Sequence, residues 1–338
     1  MSIRIACWYL PVCLAISACG GGGGSTPSTA DEPVAPPPAN TAERSEVVID
    51  VDSKARTYTL YVPAAYEAGN PAIVLLHGGS QSMRAVLEDD VTSFRWVDLA
   101  DAEGFLVIAP NGFNNALDDG LGDSQSWNDL RDDRSGNTSL QDDRGFILQV
   151  LDHVHATTGF DLTRVLVSGA SNGGMMAMRL LIESPERFAG GAVFIAALPE
   201  EPIPNPAETT PIFLLNGTED SLVLFDGGIV GRNGAPTRSV PDTVAYWVAA
   251  TGSDANQEQV VDLPDSVPTD ACTLTETTYS SLVSGLPTVR FIEAIGGGHN
   301  TPDPSPPFRN QAVLEIIGNE CRDAHGVDLA WAFLQQYL

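Results

Sequence analysis

The stretch Gly169-Ala170-Ser171-Asn172-Gly173-Gly174 constrains this chain more than any other. It follows a β-branched run, Arg164-Val165-Leu166-Val167-Ser168, and precedes an apolar run with helical spacing, Met175 to Leu181. The reading is strand, tight turn, helix, with a serine at the apex. Such a turn tolerates only small neighbours. Gly169 and Gly173 let the strand and the helix approach each other, and the helix N-terminus behind the serine favours negative charge developing there.

G-x-S-x-G in this setting is a nucleophile elbow. An alcohol is a weak nucleophile near neutral pH and needs a base within hydrogen-bond reach, oriented by a third group. Five histidines compete for the role of base. His77 opens a Gly-Gly turn after a strand and suits shaping of the backbone. His153 and His155 lie on a helical segment, and His325 precedes the last helix as a surface or capping residue. His299 follows the last expected strand on the Gly-rich loop Gly296-Gly297-Gly298, where a base can be presented. Asp220 follows the strand Pro211–Leu215 by a short loop and is the candidate acid, with Glu219 as the adjacent alternative. The order Ser171, Asp220, His299 is one of the known chain orders of a catalytic triad. Oxyanion donors are expected at the main-chain N–H of Asn172 and in the loop after the first buried strand, at Gly79 or Ser80.

The rest of the chain agrees with a covered, mostly parallel sheet. Continuous apolar runs at Ala72–Leu76, Phe105–Ala109, Val165–Ser168, Gly191–Ala196, Pro211–Leu215 and Thr288–Ala294 read as buried strands. Helical segments are expected at 94–103, 140–158, after the elbow, at 241–250 and at 329–338, and an alternating hairpin at 46–50 and 57–62. Asn111–Arg134 reads as a long acidic loop. Strands alternating with helices imply right-handed βαβ units and an α/β fold with helices on both faces.

Residues 1–18 read as an export signal: Arg4, then the apolar run Ile5–Ile16, then Ile16-Ser17-Ala18-Cys19. A small-residue site ending at a cysteine is the pattern of a bacterial lipoprotein, with Cys19 lipidated. Residues 19–45, rich in Gly, Pro and Ser, read as a flexible tether, and 46–338 as one catalytic domain. The expected location is extracytoplasmic, lipid-anchored to a bacterial membrane, most simply the outer one, or secreted. Beyond the tether only Cys272 and Cys321 remain, which suggests one disulfide in an exported domain. The formal net charge is −27, with Lys54 the sole lysine, which argues against nucleic acid and anionic lipid surfaces as partners.

Taken together, His77-Gly78-Gly79, Ser126-Trp127-Asn128-Asp129, Asp142 to Ile147, Gly169 to Met176, Asn216-Gly217-Thr218-Glu219-Asp220 and Gly296-Gly297-Gly298-His299 resemble the secreted polyhydroxybutyrate depolymerase and feruloyl-esterase group of α/β-hydrolases. The resemblance runs from about Val47 to Leu338. It implies an α/β-hydrolase fold, a triad of Ser171, Asp220 and His299, and hydrolysis of feruloyl-type or short hydroxyalkanoate esters with no metal and no cofactor. Three positions depart from the group's pattern. Asn216 stands where histidine is usual. Thr301 and Pro302 stand where a tryptophan usually follows the histidine. Ser280 and Ser281 stand where a second cysteine is usual, which points to Cys272 pairing with Cys321. Trp127 either lines the acyl or aromatic pocket, with Ser80 as a second substrate contact, or packs its loop down. Asp142 and Asp143 read as N-terminal helix charges, and Asp118, Asp119 and Asp123 as a solvated acidic loop. A triad peptidase, an acyltransferase, or a lipoprotein binding module without catalysis are the rival readings.

Overall fold

A computed structural model describes residues 41–88, 92–131, 138–200, 203–204, 210–231, 234–305 and 311–338. The expected signal, Cys19 and most of the tether lie outside the described residues.

The chain enters on a hairpin, β1 (Glu43–Val51) and β2 (Lys54–Val62). Asp52 and Ser53 join them with φ of 51° and 64°. Two successive positive φ values make the loop whose twist matches that of the flanking strands. The hairpin begins at Glu43, slightly ahead of the tether's expected end.

Six strands form the parallel centre: β3 (Ala72–Leu76), β4 (Leu106–Pro110), β5 (Val165–Ala170), β6 (Gly190–Phe194), β7 (Ile212–Gly217) and, later in the chain, β12 (Pro287–Ile295). Their apolar runs are continuous because both faces are covered. The helices that cover them are α1 (Arg95–Glu103), α2 (Asp143–Thr158), α3 (Asn172–Glu183), α4 (Val240–Ala250) and α6 (Gly326–Leu334), while α5 (Gln311–Ile317) lies between β12 and α6 in the chain. A two-residue ribbon, β8 (Gly228–Ile229) with β9 (Pro236–Thr237), lies in the loop before α4. Local chemistry sets the helix ends. Asp142 caps α2 by accepting the Gly145 N–H at 2.9 Å, and Gly159 closes it at φ 71°. Ser239 caps α4, with Pro241 in its first turn.

Besides the β8–β9 ribbon, two strands of the main sheet were not expected: β10 (Gln259–Asp262) and β11 (Thr273–Ser280). They extend the sheet antiparallel beyond β12, giving the order β1-β2-β4-β3-β5-β6-β7-β12-β11-β10. Their outer position leaves them largely in water, so they carry Thr, Glu and Gln where the central strands carry Val and Leu. β-branched density, rather than an apolar run, was the available signal.

The core divides by sheet face. Side chains of α2, α3 and α4, among them Phe146, Met176 and Trp247, pack on one face. Trp96, Ala100, Ala330 and Phe333 of α1 and α6 pack on the other. Trp96 is fully buried and its indole N–H reaches Ser168 Oγ at 3.1 Å, which satisfies the one polar atom of a large apolar side chain. The carboxyl ends of β3, β5, β7 and β12 open on one edge of the sheet, where α/β folds place ligands.

Candidate active site

Ser171 directly follows β5 and is the N-cap of α3, with φ 55° and ψ −124°. A non-glycine residue there carries strain of about 1–3 kcal/mol and persists only when its surroundings over-determine it. Its N–H donates to Phe194 O on β6 and its C=O accepts from Met175, each at 2.9 Å. A Cβ on Gly169 would sit 2.3 Å from Gly173 O, and one on Gly173 would sit 2.4 Å from both Leu76 O and His77 O. The two glycines are therefore required by close backbone approach, as the sequence pattern suggested.

Asp220 and His299 meet. Asp220 lies just past β7, His299 just past β12, and the two strands are paired in parallel. His299 Nδ1–H donates to Asp220 Oδ2 at 2.7 Å. Asp220 Oδ1 accepts the N–H groups of Leu222 and Val223, each at 2.8 Å. The carboxylate is buried, whereas Glu219, the adjacent alternative, is exposed and makes its main-chain bond to Gly297 O. With Nδ1 protonated, Nε2 keeps its lone pair and can take a proton from a hydroxyl. The Ser171 hydroxyl makes no hydrogen bond among the described residues. In a substrate-free hydrolase this bond is commonly long and tightens when substrate arrives.

The base loop is held from several sides. Thr218 N–H reaches Ala294 O, Thr218 Oγ1 accepts from Gly296 N, and Gly298 N–H reaches Asn319 O at 2.8 Å. His299 N–H donates to Ile317 O. Cys272 and Cys321 are bonded, with Cα atoms 5.3 Å apart, and fasten the start of β11 to the segment after α5. The Cys321 carbonyl in turn accepts the Asp303 N–H at 3.0 Å, a few residues past His299.

Two main-chain N–H groups beside Ser171 lack an acceptor among the described residues. One belongs to Asn172, in the first turn of α3, where orphan donors are the rule. The other belongs to Gly79, which is exposed; a Cβ on it would lie 3.5 Å from Asn172 Cβ. Ser80 is not the second donor, because its N–H is taken by Gln125 O at 2.8 Å. It stands exposed at the rim of the site with φ 60°. Gln81, unremarked in the sequence, holds the loop by accepting the Gly78 N–H through Oε1 at 3.0 Å.

Of the two roles open to Trp127, substrate contact and packing of its loop, the structure shows packing. It is fully buried, so it cannot line an accessible pocket. Its indole N–H donates to His77 O at 2.8 Å, and its ring lies 4.7 Å from the His77 imidazole. His77 shapes the backbone, as expected: Nδ1–H donates to Gly78 O at 2.7 Å and Nε2 accepts from Gly112 N at 2.9 Å. Burial lowers its pKa from 6.5 to about 4, so the ring is neutral.

The remaining candidates are structural. Asp143 is not a solvent-facing helix charge. It is fully buried against Arg56 at 2.6 Å and accepts the Asn128 N–H. Burial pushes its carboxyl up while Arg56 opposes that shift. Asp118 pairs with Lys54, Asp123 with Arg84 at 2.7 Å, and Asp119 accepts the Leu121 N–H. His153 meets Tyr58 OH, His155 meets Phe160 O, and His325 stands at the N-cap of α6. Asn216 is buried and donates to Ala196 O. Sequence reasoning missed the buried pair Asp129–Arg131, 2.6 Å apart, which continues the Trp127 segment. Asp129 stood in the Ser-Trp-Asn-Asp run, so the signal was present.

A cavity of about 130 Å³ adjoins the elbow on the α1 and α6 face, walled by Gly78, Val86, Trp96, Ala170, Phe194 and Thr301. Larger hollows lie beside α5, about 490 Å³, and between α4 and β11–β12, about 550 Å³; like the smaller cavity, they have no triad residue in their walls.

A model of the prolyl oligopeptidase family, Peptidase_S9, matches residues 94–198, a span that includes Ser171 but neither Asp220 nor His299. The protein named "Putative esterase NocK" from Nocardia uniformis subsp. tsuyamanensis is 29% identical over 96% of each chain. The bifunctional acetylxylan esterase/xylanase XynS20E from Neocallimastix patriciarum is 27% identical over 50% of this chain and 22% of its own. Among solved structures, the acetyl xylan esterase from Aspergillus awamori superposes with a TM-score of 0.52 at 16% identity, covering 82% of this chain and 99% of that one. The architecture is the α/β-hydrolase fold.

Proposed function

We propose that this chain is a serine carboxylic-ester hydrolase. The observation that carries the reading is the Asp220–His299 hydrogen bond at the strand ends, on the same sheet edge as a strained Ser171. In this reading Ser171 Oγ attacks the ester carbonyl while His299 Nε2 takes its proton. The N–H groups of Asn172 and Gly79 receive the oxyanion. The imidazolium, steadied by Asp220, then protonates the leaving alcohol. Water repeats the sequence in reverse on the acyl-enzyme. The esterase names of the relatives support the reaction class.

Both hydroxycinnamoyl and short hydroxyalkanoyl esters suit this chemistry. The cavity beside the elbow, about 130 Å³, is near the size of an engineered cavity that accepts benzene and well below the roughly 300–1,000 Å³ of drug-sized pockets. No triad residue lines it, so its size does not choose between the two acyl classes. We further propose export, with a lipid at Cys19 as the membrane contact and no nucleic-acid partner.

The Peptidase_S9 match favours a second reading, a peptidase using the same triad. The test is turnover of p-nitrophenyl butyrate and of a peptide p-nitroanilide by the wild type and by Ser171→Ala. Ester turnover that vanishes in the variant supports the proposal. Ester turnover that survives it refutes the proposal, and dominant anilide turnover favours the peptidase.

A further inference from the structure

Trp127 sits between the two amide donors and touches the mounting of each. On one side, its main-chain N–H donates to Asn172 Oδ1 at 2.8 Å and its carbonyl accepts from Asn172 Nδ2 at 3.2 Å. This reciprocal pair fixes the residue whose own N–H is the proposed oxyanion donor. On the other side, its indole N–H holds His77 O at 2.8 Å and its ring packs on the imidazole. His77 begins the loop that carries Gly79, and its Nδ1–H fixes the Gly78 carbonyl next to the Gly79 amide. The segment itself is anchored beyond Trp127, where Asp129 accepts from Asn172 Nδ2 and is clamped by Arg131 at 2.6 Å.

We infer that Trp127 is a positioning residue for the oxyanion site, a strut that sets the separation of the Asn172 and Gly79 amides. The inference rests on the ester-hydrolase reading above. Gly79 lies past the end of β3, beyond the last ladder bond to β5, so the sheet does not fix it. The neighbouring amides of Gly78 and Ser80 are committed to Gln81 and Gln125, which turns the loop but does not tie it to α3. Gly173 of α3 packs directly on the Leu76 and His77 carbonyls, and among the described residues the hydrogen-bonded tie between the loop and α3 runs through Trp127. Oxyanion donors act by being in place before charge develops, and removing one costs about 10²–10³ in kcat. A displacement of about 1 Å is enough to cost about 10².

Trp127→Phe keeps an aromatic ring against His77 but removes the N–H that holds its carbonyl together with one ring of the buried bicycle. The expected result is a folded protein whose kcat on p-nitrophenyl acetate falls about 10- to 100-fold while KM changes less than about threefold. A trifluoromethyl ketone, which presents an oxyanion when bound to Ser171, weakens by the same factor as kcat/KM. The corresponding methyl ketone, a ground-state competitor, does not. A merely structural role lowers the unfolding midpoint without splitting kcat from KM or one ketone from the other. If Trp127→Phe does not fold, site-specific benzothienylalanine at 127 carries the same test, because it retains the bicyclic ring and lacks only the N–H. The inference is overturned if kcat is unchanged in the folded variant, or if both ketones weaken equally. Ser171→Ala separates the two levels. Loss of turnover there with full activity in Trp127→Phe removes only the strut, whereas retained turnover in Ser171→Ala removes the hydrolase reading beneath it.

Discussion

Asp220 holds His299 across the ends of two neighbouring strands: Oδ2 takes the imidazole Nδ1–H at 2.7 Å, and Oδ1 takes two main-chain N–H groups. The carboxylate is thus fixed from behind by its own loop and from the front by the base. Its buried position means that no water competes for the imidazole N–H. Asp220→Asn presents an amide N–H or a neutral oxygen to Nδ1 and permits the wrong tautomer. We expect kcat to fall about 10³- to 10⁴-fold with a much smaller change in KM, read by steady-state kinetics on p-nitrophenyl acetate.

His77 makes stability depend on acidity. Its pKa is about 4 in the folded protein against an ordinary 6.5, because burial disfavours the charged ring. As pH falls through 6.5 the unfolded chain takes up a proton that the native protein refuses until about 4. The contribution is therefore whole above 6.5 and is lost between 6.5 and 4, amounting to ~3 kcal/mol. Urea unfolding midpoints measured across that window should decline, and His77→Gln should flatten the decline. An equal slope in the variant assigns the acid sensitivity to other groups.

Arg56 and Asp143 form a buried pair 2.6 Å apart, with Arg56 also stacked 4.0 Å from the Phe146 ring centre. Removing one partner leaves the other charged and desolvated. Asp143→Ala should lose about 3–5 kcal/mol of stability, measured by urea denaturation. A loss under about 1 kcal/mol would mean that the freed arginine finds water.

The Cys272–Cys321 bond closes a loop with a sequence separation of 49. Chain-entropy arguments assign such a bond ~4 kcal/mol, and typical measured values are about 2–4 kcal/mol. Reduction, or Cys321→Ser, should lower the unfolding midpoint accordingly. It should also slow turnover, since the same segment braces the loop that carries His299. A free-thiol titration of the unreduced protein should find none from this pair.

Much of this was legible in the chain. The elbow announces itself because a strained serine needs glycine at Gly169 and Gly173 for reasons of backbone distance, and nothing else fits. Asp220 and His299 could be found by position because strand ends in a parallel sheet converge on one edge. What could not be read is instructive. Trp127 looked equally apt for substrate or packing, since residue type does not reveal which way a side chain faces. Its burial against His77 settles the matter for packing. Asp143 looked like a helix-end charge because its partner, Arg56, lies far away in sequence on β2. The outer strands β10 and β11 escaped because half-solvated edges dispense with the apolar runs that mark buried ones. Ser80 and Gly79 were separable only through the backbone partner Gln125.

The most direct test of the account is to treat the folded protein with a fluorophosphonate and map the adduct by mass spectrometry. The account predicts one modified residue, Ser171, with labelling abolished in Ser171→Ala and strongly slowed in His299→Ala. Labelling elsewhere, or labelling of Ser171 at an unchanged rate without His299, would contradict it.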